Sequence, residues 1–255
     1  TATGRYVTRQ PGVASGLDLI RLVFEEVDPD VEMQFETKDG EPIREGGVMA
    51  TVHGPARSIL SGERTSLNFV SLLSGVATAT RRFVDAVEGT RAKIYDTRKT
   101  IPGLRELQKY AVRCGGGFNH RMSLGDQVLV KDNHLSLAHR DPDEIGELAK
   151  ALRREMPYKL KIEVELDDLH AFDDVIRSGV EVVMLDNFTP ERFAEARKRL
   201  DEANLMSPPA LEVSGGVTVE TVRAFAEAGA DRIAVGYLTH SAPWLDVSLE
   251  FVADD

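Results

Sequence analysis

The chain of 255 residues is long enough for one large or two modest domains with a substantial buried core. Its hydrophobic share of 42% is ordinary for a globular protein, and no apolar run reaches the roughly 18–20 residues that a membrane span needs. The formal net charge of −11 argues against non-specific nucleic-acid binding, which depends on neutralising phosphates. Cys114 is the only cysteine, so an internal disulfide is excluded and a reducing, cytoplasmic setting is expected.

Residues 1–66 read as a mixed α and β segment. Apolar residues at helical spacing predict an amphipathic helix over 15–27. Alternating or short apolar runs predict strands at Tyr6-Val7 and over 31–36, 48–53 and 56–60. These elements together predict a small antiparallel sheet with a helix packed on it.

A different organisation follows a long helix predicted over 62–88. Strand-like and helical segments then alternate with short connections, which predicts βα units around a parallel sheet. The predicted helices cover 103–113, 142–155, 167–178, 190–203 and 218–228. The predicted strands end near Asp96, Lys131, Glu165, Asp186, Ser214 and Gly236.

The last residues form a separate strand signal. Val247, Leu249 and Phe251 alternate with polar residues, which predicts a strand that returns to the first domain. We therefore place the domain boundaries so that 1–66 and 241–255 form one domain and 67–240 form the other.

Polar residues stand at the C-terminal ends of the predicted parallel strands, where α/β barrels place their active sites. Two of these ends carry glycine steps, Ser214-Gly215-Gly216 and Gly236. Such loops bind phosphate through backbone N–H groups, because glycine allows a close approach. Tight turns without a ligand are the alternative interpretation.

Two carboxylates, Glu165 and Asp186, end neighbouring predicted strands. They could serve as general acid and base, as metal ligands or as acceptors for sugar hydroxyls. The sequence has no histidine-rich or cysteine-rich metal spacing, so Mg²⁺ is the first choice for any metal at Glu165 and Asp186. We expect Glu163 to point to the face of the strand opposite Glu165.

A basic group stands out against the acidic balance of the chain. Arginine offers planar bidentate contacts to anions and lysine a point charge, so the group predicts a ligand with several carboxylates or phosphates. Its members are Arg98, Lys99, His120, Arg121 and Lys131. No Ser-His-Asp or Cys-His arrangement is evident, so positioning and charge stabilisation are the expected mechanism. His134 and His240 follow strand ends and are candidates for supporting contacts.

The motifs taken in order resemble the quinolinate phosphoribosyltransferase family. The resemblance covers residues 61–241 through specific short motifs, and residues 1–60 also fit the family's first domain. The motifs include Ser61-Gly62-Glu63-Arg64-Thr65, Asp96-Thr97-Arg98-Lys99-Thr100, Asn119-His120-Arg121, Lys131-Asp132-Asn133-His134, Glu163-Val164-Glu165, Leu185-Asp186-Asn187-Phe188 and Ser214-Gly215-Gly216. Most of the helical lead that opens the family's first domain is absent from this sequence.

The resemblance implies an α/β fold with two parts, an N-terminal α/β sandwich and an open α/β barrel. It implies an enzyme that joins quinolinate to 5-phosphoribosyl-1-pyrophosphate with decarboxylation, giving nicotinate mononucleotide, pyrophosphate and CO2 in de novo NAD synthesis. It also implies Mg²⁺ as cofactor and a homodimer or a larger assembly of dimers, with no nucleic acid or membrane partner.

The family's residue roles can be placed on matching positions of this sequence. Arg98, His120 and Arg121 would bind the substrate carboxylates, with Arg64 reaching in from a neighbouring subunit. The catalytic set would be Lys99 and Lys131, at the carboxylate and pyrophosphate, with Glu165 and Asp186, at the ribose and Mg²⁺. The 5′-phosphate would lie on Ser214, Gly215 and Gly236.

Three other functions compete with this one. A phosphoribosyltransferase of the same fold, such as the molybdenum-linked branch, would act on another acid, and the set Arg64, Arg98, His120 and Arg121 argues against it. An isomerase or aldolase barrel could use Lys131 as a Schiff-base lysine, but it would leave the first domain without a purpose. A non-catalytic relative that kept the fold would have lost charges, and the sequence retains them.

Overall fold

The computed structural model describes residues 1–137, 141, 144–156 and 160–252, except for the side chains of Asp132, Asn133 and Ser136. The chain folds into two compact units. The first comprises 1–84, 99–119 and 237–255, and the second comprises 85–98 and 120–236. No helix among the described residues is both long enough and apolar enough to cross a membrane.

The first unit contains a four-stranded antiparallel sheet. Its strands are β1 (Ala2–Thr8), β3 (Glu32–Phe35), β5 (Val48–Gly54) and β12 (Val247–Val252), in the order β12-β1-β5-β3. Strands β2 (Gly12–Val13) and β4 (Pro42–Ile43) form a separate two-stranded sheet. Strand β12 pairs with β1 from Thr3↔Val252 to Thr8↔Val247, which confirms the predicted return of the C-terminal strand.

Helix α1 (Leu17–Val27) lies within the range predicted for it and buries one face in the core of the first unit. Leu17, Ile20 and Phe24 follow the helical period and join the same apolar cluster as the sheet residues. Because apolar burial is the dominant driving force of folding, this cluster supplies the first unit with a hydrophobic core of its own.

Helix α2 (Ala56–Ala86) begins earlier than predicted, and the strand predicted over 56–60 is wrong. The N–H groups of Ser58 and Ile59 donate to the carbonyl of Pro55, which starts the helix at this point. Ile59, Gly62 and Ser66 are all buried, so the apolar run is the first core-facing turn of a helix. Short apolar runs do not distinguish strand from helix by themselves.

The first unit also holds helices α3 (Arg105–Cys114) and α9 (Tyr237–His240). The second unit is a six-stranded parallel sheet with helices between its strands. Its strands are β6 (Lys93–Tyr95), β7 (Gln127–Val130), β8 (Lys161–Leu166), β9 (Val182–Asp186), β10 (Ala210–Ser214) and β11 (Arg232–Ala234), in the order β6-β11-β10-β9-β8-β7. Its helices are α4 (Asp132–Leu137), α5 (Ile145–Glu155), α6 (Phe172–Ile176), α7 (Pro190–Glu202) and α8 (Val222–Glu227).

The alternating pattern of the sequence therefore predicted the right class of sheet, and every predicted strand end of the parallel sheet is found within two residues. The helix ends are less accurate, because α6 and α8 begin four or five residues later than predicted. The predicted start of the helix over 142–155 lies outside the described residues.

Candidate active site

The C-terminal edge of the parallel sheet carries the carboxylates and the glycine loop that the sequence predicted. Ser214 pairs with Asp186 across β10 and β9, and Glu165 pairs with Met184 across β8 and β9. Three neighbouring strands of the second unit thus carry a polar side chain at, or one residue before, their last position. This common edge is a consequence of parallel pairing, since all strands run in the same direction.

The glycine loop after β10 has a backbone that other residues would strain. Gly215 has φ 91° and Gly216 has φ 60°, both in the left-handed region. A Cβ on Gly215 would also lie only 2.8 Å from the backbone nitrogen of Asn187. The N–H of Asn187 donates to the Ser214 carbonyl at 2.9 Å, so the loops after β9 and β10 are held against each other.

The two carboxylates at this edge already have hydrogen-bond donors. Asp186 Oδ2 accepts from Asn187 Nδ2 at 2.7 Å. Glu165 Oε2 lies 2.5 Å from Lys131 Nζ, and both side chains remain partly exposed. The backbone N–H of Lys131 donates to His134 Nδ1 at 2.9 Å, which is a supporting contact for the lysine.

Arginines 98 and 121 lie close enough to affect each other. Burial, followed by the positive charge of Arg98, lowers the pKa of Arg121, while the carboxylates of Glu163 and Glu165 act in the opposite direction. One amino group of the Arg121 guanidinium, Nη1, donates to the Gln127 carbonyl at 3.1 Å. Two arginines held near each other are stabilised by an anionic ligand between them.

His120 precedes Arg121 in the chain and lies next to two glutamates that are fully buried. Its Nε2 atom is 3.0 Å from Glu163 Oε2 and 3.4 Å from Glu212 Oε1. The backbone N–H of His120 donates to Asp96 Oδ1 at 2.8 Å, and Asp96 is itself buried. Burial acts to lower the pKa of His120, but the two carboxylates outweigh it and raise the pKa to about 9.

The expectation that Glu163 faces away from Glu165 is wrong. Side chains two residues apart on a strand share a face, so Glu163 and Glu165 point the same way. Glu163 contacts His120, and both glutamates act on the pKa of Arg121. Glu163 therefore belongs to the site region, one layer below Glu165.

Glu212 and Arg232 were not predicted from the sequence. Together with Glu163 they form the lower layer of the sheet. Arg232 Nε lies 2.5 Å from Glu212 Oε2, and the Arg232 guanidinium stacks 4.1 Å from the centre of the Tyr95 ring. Gln127 Nε2 donates to Glu163 Oε2. The missed signal was charge inside otherwise apolar strands: Glu212 stands between Leu211 and Val213 in β10, and Arg232 precedes Ile233 in β11.

Lys99 and Arg64 belong to the first unit. The fully buried Gln108 accepts from the Ile101 N–H at 2.8 Å and donates to the Thr239 carbonyl at 2.6 Å. Thr239 Oγ1 in turn donates to the Lys99 carbonyl at 2.7 Å, so the loop that carries Lys99 is tied to α9. Arg64 is exposed on α2, where it lines a cavity of about 310 Å³ together with Trp244 and Asp246.

The comparisons with known proteins agree on one family. Residues 76–250 match Quinolinate phosphoribosyl transferase, C-terminal domain, and residues 1–74 match Quinolinate phosphoribosyl transferase, N-terminal domain. A nicotinate-nucleotide pyrophosphorylase [carboxylating] from Mycobacterium leprae is 44% identical over 253 residues, which cover 97% of this chain and 86% of that protein. A probable nicotinate-nucleotide pyrophosphorylase [carboxylating] from Bacillus subtilis is 40% identical over 244 residues, covering 96% and 81%.

A solved structure supports the same assignment. The nicotinate-nucleotide pyrophosphorylase from Francisella tularensis superposes with a TM-score of 0.88 at 35% identity, covering 98% of this chain and 86% of that one. The sequence matches and the structural match therefore span both the antiparallel and the parallel parts of the fold. The chain belongs to the quinolinate phosphoribosyltransferase family.

Proposed function

We propose that the chain transfers the phosphoribosyl group of 5-phosphoribosyl-1-pyrophosphate to quinolinate with decarboxylation. The products are nicotinate mononucleotide, pyrophosphate and CO2, and the reaction is a step of de novo NAD synthesis. The observation that carries the proposal is the cationic cluster of the second unit, where Arg98 and Arg121 interact and Lys131 contacts Glu165, with His120 directly before Arg121 in the chain. A dicarboxylate matches two neighbouring guanidiniums better than a monocarboxylate does.

Arg98, His120 and Arg121 would bind the two carboxylates of quinolinate. Nδ1 of His120 accepts a hydrogen bond from the Arg121 backbone N–H at 2.8 Å. Protonation of Nδ1 breaks that bond and leaves an Nδ1–H that needs an acceptor of its own. A carboxylate of the ligand supplies that acceptor. Lys99, which follows Arg98 in the chain, would add a second cation for the carboxylate or the pyrophosphate.

The sugar phosphate would occupy the edge of the parallel sheet. Ser214, Gly215 and Gly236 would hold the 5′-phosphate through backbone and hydroxyl donors. Glu165 and Asp186 would accept hydrogen bonds from the ribose hydroxyls. This arrangement fixes the anomeric carbon against the ring nitrogen of quinolinate, which is the positioning that the reaction requires.

The proposed reaction is a substitution at the anomeric carbon followed by decarboxylation. The ring nitrogen bonds to the anomeric carbon as the bond from that carbon to pyrophosphate breaks, and the electron pair leaves with pyrophosphate. Lys131 and Lys99 would stabilise the negative charge that develops there. The positive ring nitrogen next stabilises the electron pair left when CO2 departs, and that ring carbon takes up a proton.

Mg²⁺ is the metal that this donor set fits. It prefers hard oxygen ligands and commonly binds through one or two carboxylates together with substrate phosphates, and Glu165 and Asp186 offer those carboxylates. When bound, the ion would neutralise charge on the pyrophosphate. Lys131 Nζ donates to Glu165 Oε2 at 2.5 Å in the structure, and an ammonium group has two further hydrogens that could bind a phosphate oxygen.

The assembly and the cellular setting are also part of the proposal. A homodimer, or a larger assembly of dimers, would bring Arg64 of one subunit to the quinolinate of its neighbour, for which its exposed position on α2 is suitable. The reaction would take place in the cytoplasm. The lone Cys114 agrees with a reducing compartment.

A product assay tests the function. The protein is incubated with Mg²⁺, phosphoribosyl pyrophosphate and either quinolinate or nicotinate, and nicotinate mononucleotide is followed by chromatography. We expect product from quinolinate and little from nicotinate, since nicotinate lacks one of the two carboxylates. Product from nicotinate alone would overturn the proposal and indicate a different phosphoribosyltransferase.

A further inference from the structure

The lower layer of the second unit is a buried set of charges that the proposed reaction does not use. Glu163 and Glu212 have no exposed surface, and Arg232 is nearly as buried. Burying charge is costly unless the groups pair with one another. Apolar residues would fill the same space at lower cost, so this layer requires a purpose other than stability.

The contacts of the layer converge on the His120 ring. Glu163 comes from β8 and Glu212 from β10, and both approach the same Nε2 atom. Gln127 from β7 fixes the Glu163 carboxylate, and Arg232 from β11 fixes that of Glu212. Two strands thus contact the imidazole and two more hold those contacts in place, while Asp96, just after β6, accepts from the His120 backbone N–H.

The charges of the layer balance when the imidazole is positive. Burial and the neighbouring Glu163 raise the pKa of Glu212, while His120 and Arg232 act in the opposite direction. With both glutamates ionised they supply two negative charges and Arg232 supplies one positive charge, so a protonated His120 makes the group neutral. His120, Glu163 and Glu212 also have the composition of a metal site, with donor atoms within 4.8 Å of one another. Arg232 pairs with Glu212 and the neutral Gln127 donates to Glu163, so each carboxylate has one protein partner, while Glu163 Oε1 accepts no hydrogen bond from the described residues.

The geometry points to Glu163 and Glu212 as positioning residues, which hold the His120 ring in one orientation and balance its positive charge without touching the substrate. The inference rests on the proposed function, because it treats His120 as a ligand of a substrate carboxylate. The groups that face the ring or its two glutamates are Glu163, Glu212, Arg232, Gln127, Asp96 and the neighbouring Arg121.

The pH dependence follows from the sign of the shift. The pKa of His120 is raised to about 9, so the cation is present below that pH and is lost as the pH rises through it. Quinolinate affinity should therefore persist to about pH 9 in the unaltered protein. Each glutamate supports the cation, so removal of either charge should move the loss of affinity to lower pH.

The test compares Glu163→Gln and Glu212→Gln with the unaltered full chain. We expect the Kd and KM for quinolinate to rise on the order of tenfold to a hundredfold at pH 8. The KM for phosphoribosyl pyrophosphate should change less than about twofold, because the proposed arrangement places the sugar phosphate on the glycine loops and not on His120. The alkaline loss of quinolinate binding, measured by calorimetry from pH 6 to 10, should shift downward in both variants.

Asp231→Asn is a matched control on the same sheet. Asp231 stands directly before β11, at the end of the sheet opposite to the site. It pairs with Arg197 and accepts from the Leu211 N–H at 2.9 Å. This variant also removes the charge of an ion pair and should lower stability, but it should leave both KM values and the pH profile unchanged. An identical profile for Glu212→Gln and Asp231→Asn would overturn the inference.

If the variants do not fold, an NMR titration of the unaltered protein tests the inference. The ring resonances of His120, assigned with a His120→Asn sample, report its protonation directly by NMR. Titration near pH 9 supports the inference, and titration at or below about 6.5, the ordinary value for histidine, contradicts it. If the unaltered protein neither binds nor converts quinolinate, the proposed function fails, whatever the titration shows.

Discussion

Two layers of the parallel sheet carry charged residues in different surroundings. The upper layer, at the strand ends, consists of Glu165, Asp186 and Ser214, which are partly exposed. The lower layer, two residues earlier on its strands, includes Glu163 and Glu212, which are fully buried. The upper layer is partly open to solvent, whereas the charged groups of the lower layer lie against one another inside the protein. In the proposed arrangement the binding site needs charged residues that do not contact the ligand.

The largest expected effect comes from breaking the internal balance of the lower layer. Arg232→Met keeps the approximate length of the side chain but leaves Glu212 without its closest cation. Removing one partner of a buried ion pair costs about 3–5 kcal/mol of unfolding free energy, because the remaining charge stays buried. Urea denaturation at pH 7 measures the loss.

Arg223→Ala is the control for this loss. Arg223 pairs with Glu227 on the surface of α8, where such pairs contribute about 0–1 kcal/mol. A similar small loss in both variants would mean that the lower layer behaves like surface charge, and the contrast between the layers would disappear.

The upper layer should respond in catalysis rather than in stability. Glu165→Gln removes the charge that Lys131 contacts and one of the two carboxylates proposed for ribose and Mg²⁺. We expect kcat/KM for phosphoribosyl pyrophosphate to fall on the order of 10²–10³-fold, the scale found when a preorganised electrostatic contact is lost. Initial rates over a range of Mg²⁺ concentrations test it, with Glu147→Gln as a surface control.

The melting temperature of Glu165→Gln separates an effect on catalysis from an effect on stability. Because Glu165 is partly exposed, its loss should leave the melting temperature close to that of the unaltered protein. Full activity in Glu165→Gln, or a severe loss of stability without any loss of rate, would contradict its place in the upper layer.

Arg121 connects the two layers, because its guanidinium interacts with Glu165 of the upper layer and with Glu163 of the lower layer. Arg121→Ala should abolish detectable quinolinate binding, at a cost of about 2–5 kcal/mol of binding free energy, while the fold remains intact. Calorimetric titration with quinolinate measures the binding, and circular dichroism checks the fold. Unchanged binding would refute the role of Arg121.

The smallest expected effect concerns the glycine loop. Gly215→Ala places a side chain at φ 91° and against Asn187, whereas Gly179→Ala has φ 84° and nothing within 4 Å of the added carbon. Both variants should lose about 1–2 kcal/mol for the left-handed backbone. Only Gly215→Ala should lose more than that and also raise the KM for phosphoribosyl pyrophosphate. Equal losses and an unchanged KM would show that this loop is a tight turn and not a phosphate site.

The upper layer could be predicted from the sequence because strand ends are visible as apolar runs that stop at a polar residue. Glu165, Asp186 and the Ser214 loop each follow such a run. The lower layer could not be placed in this way, because its partners come from four strands that are distant in sequence. The contact of His120 with Glu163 and Glu212 depends on the strand order β10-β9-β8, which a pattern of residues does not specify.

The fold shows the same division between local and long-range information. The alternation of strands and helices predicted the parallel sheet, and the alternating tail predicted the strand that pairs with β1. The predicted strand over 56–60 failed because five residues are too few to establish a period. The division at 66/67 and 240/241 stays a prediction, while residues 99–119 pack as part of the first compact unit.

The most direct measurement of the central claim is the stoichiometry of the complete reaction. Quinolinate labelled in both carboxyl groups is incubated with phosphoribosyl pyrophosphate, Mg²⁺ and the protein, and nicotinate mononucleotide, pyrophosphate and labelled CO2 are counted. We predict equal amounts of the three products, with one label retained in the nucleotide. Release of CO2 without nucleotide, or formation of a nucleotide that keeps both labels, would contradict the account.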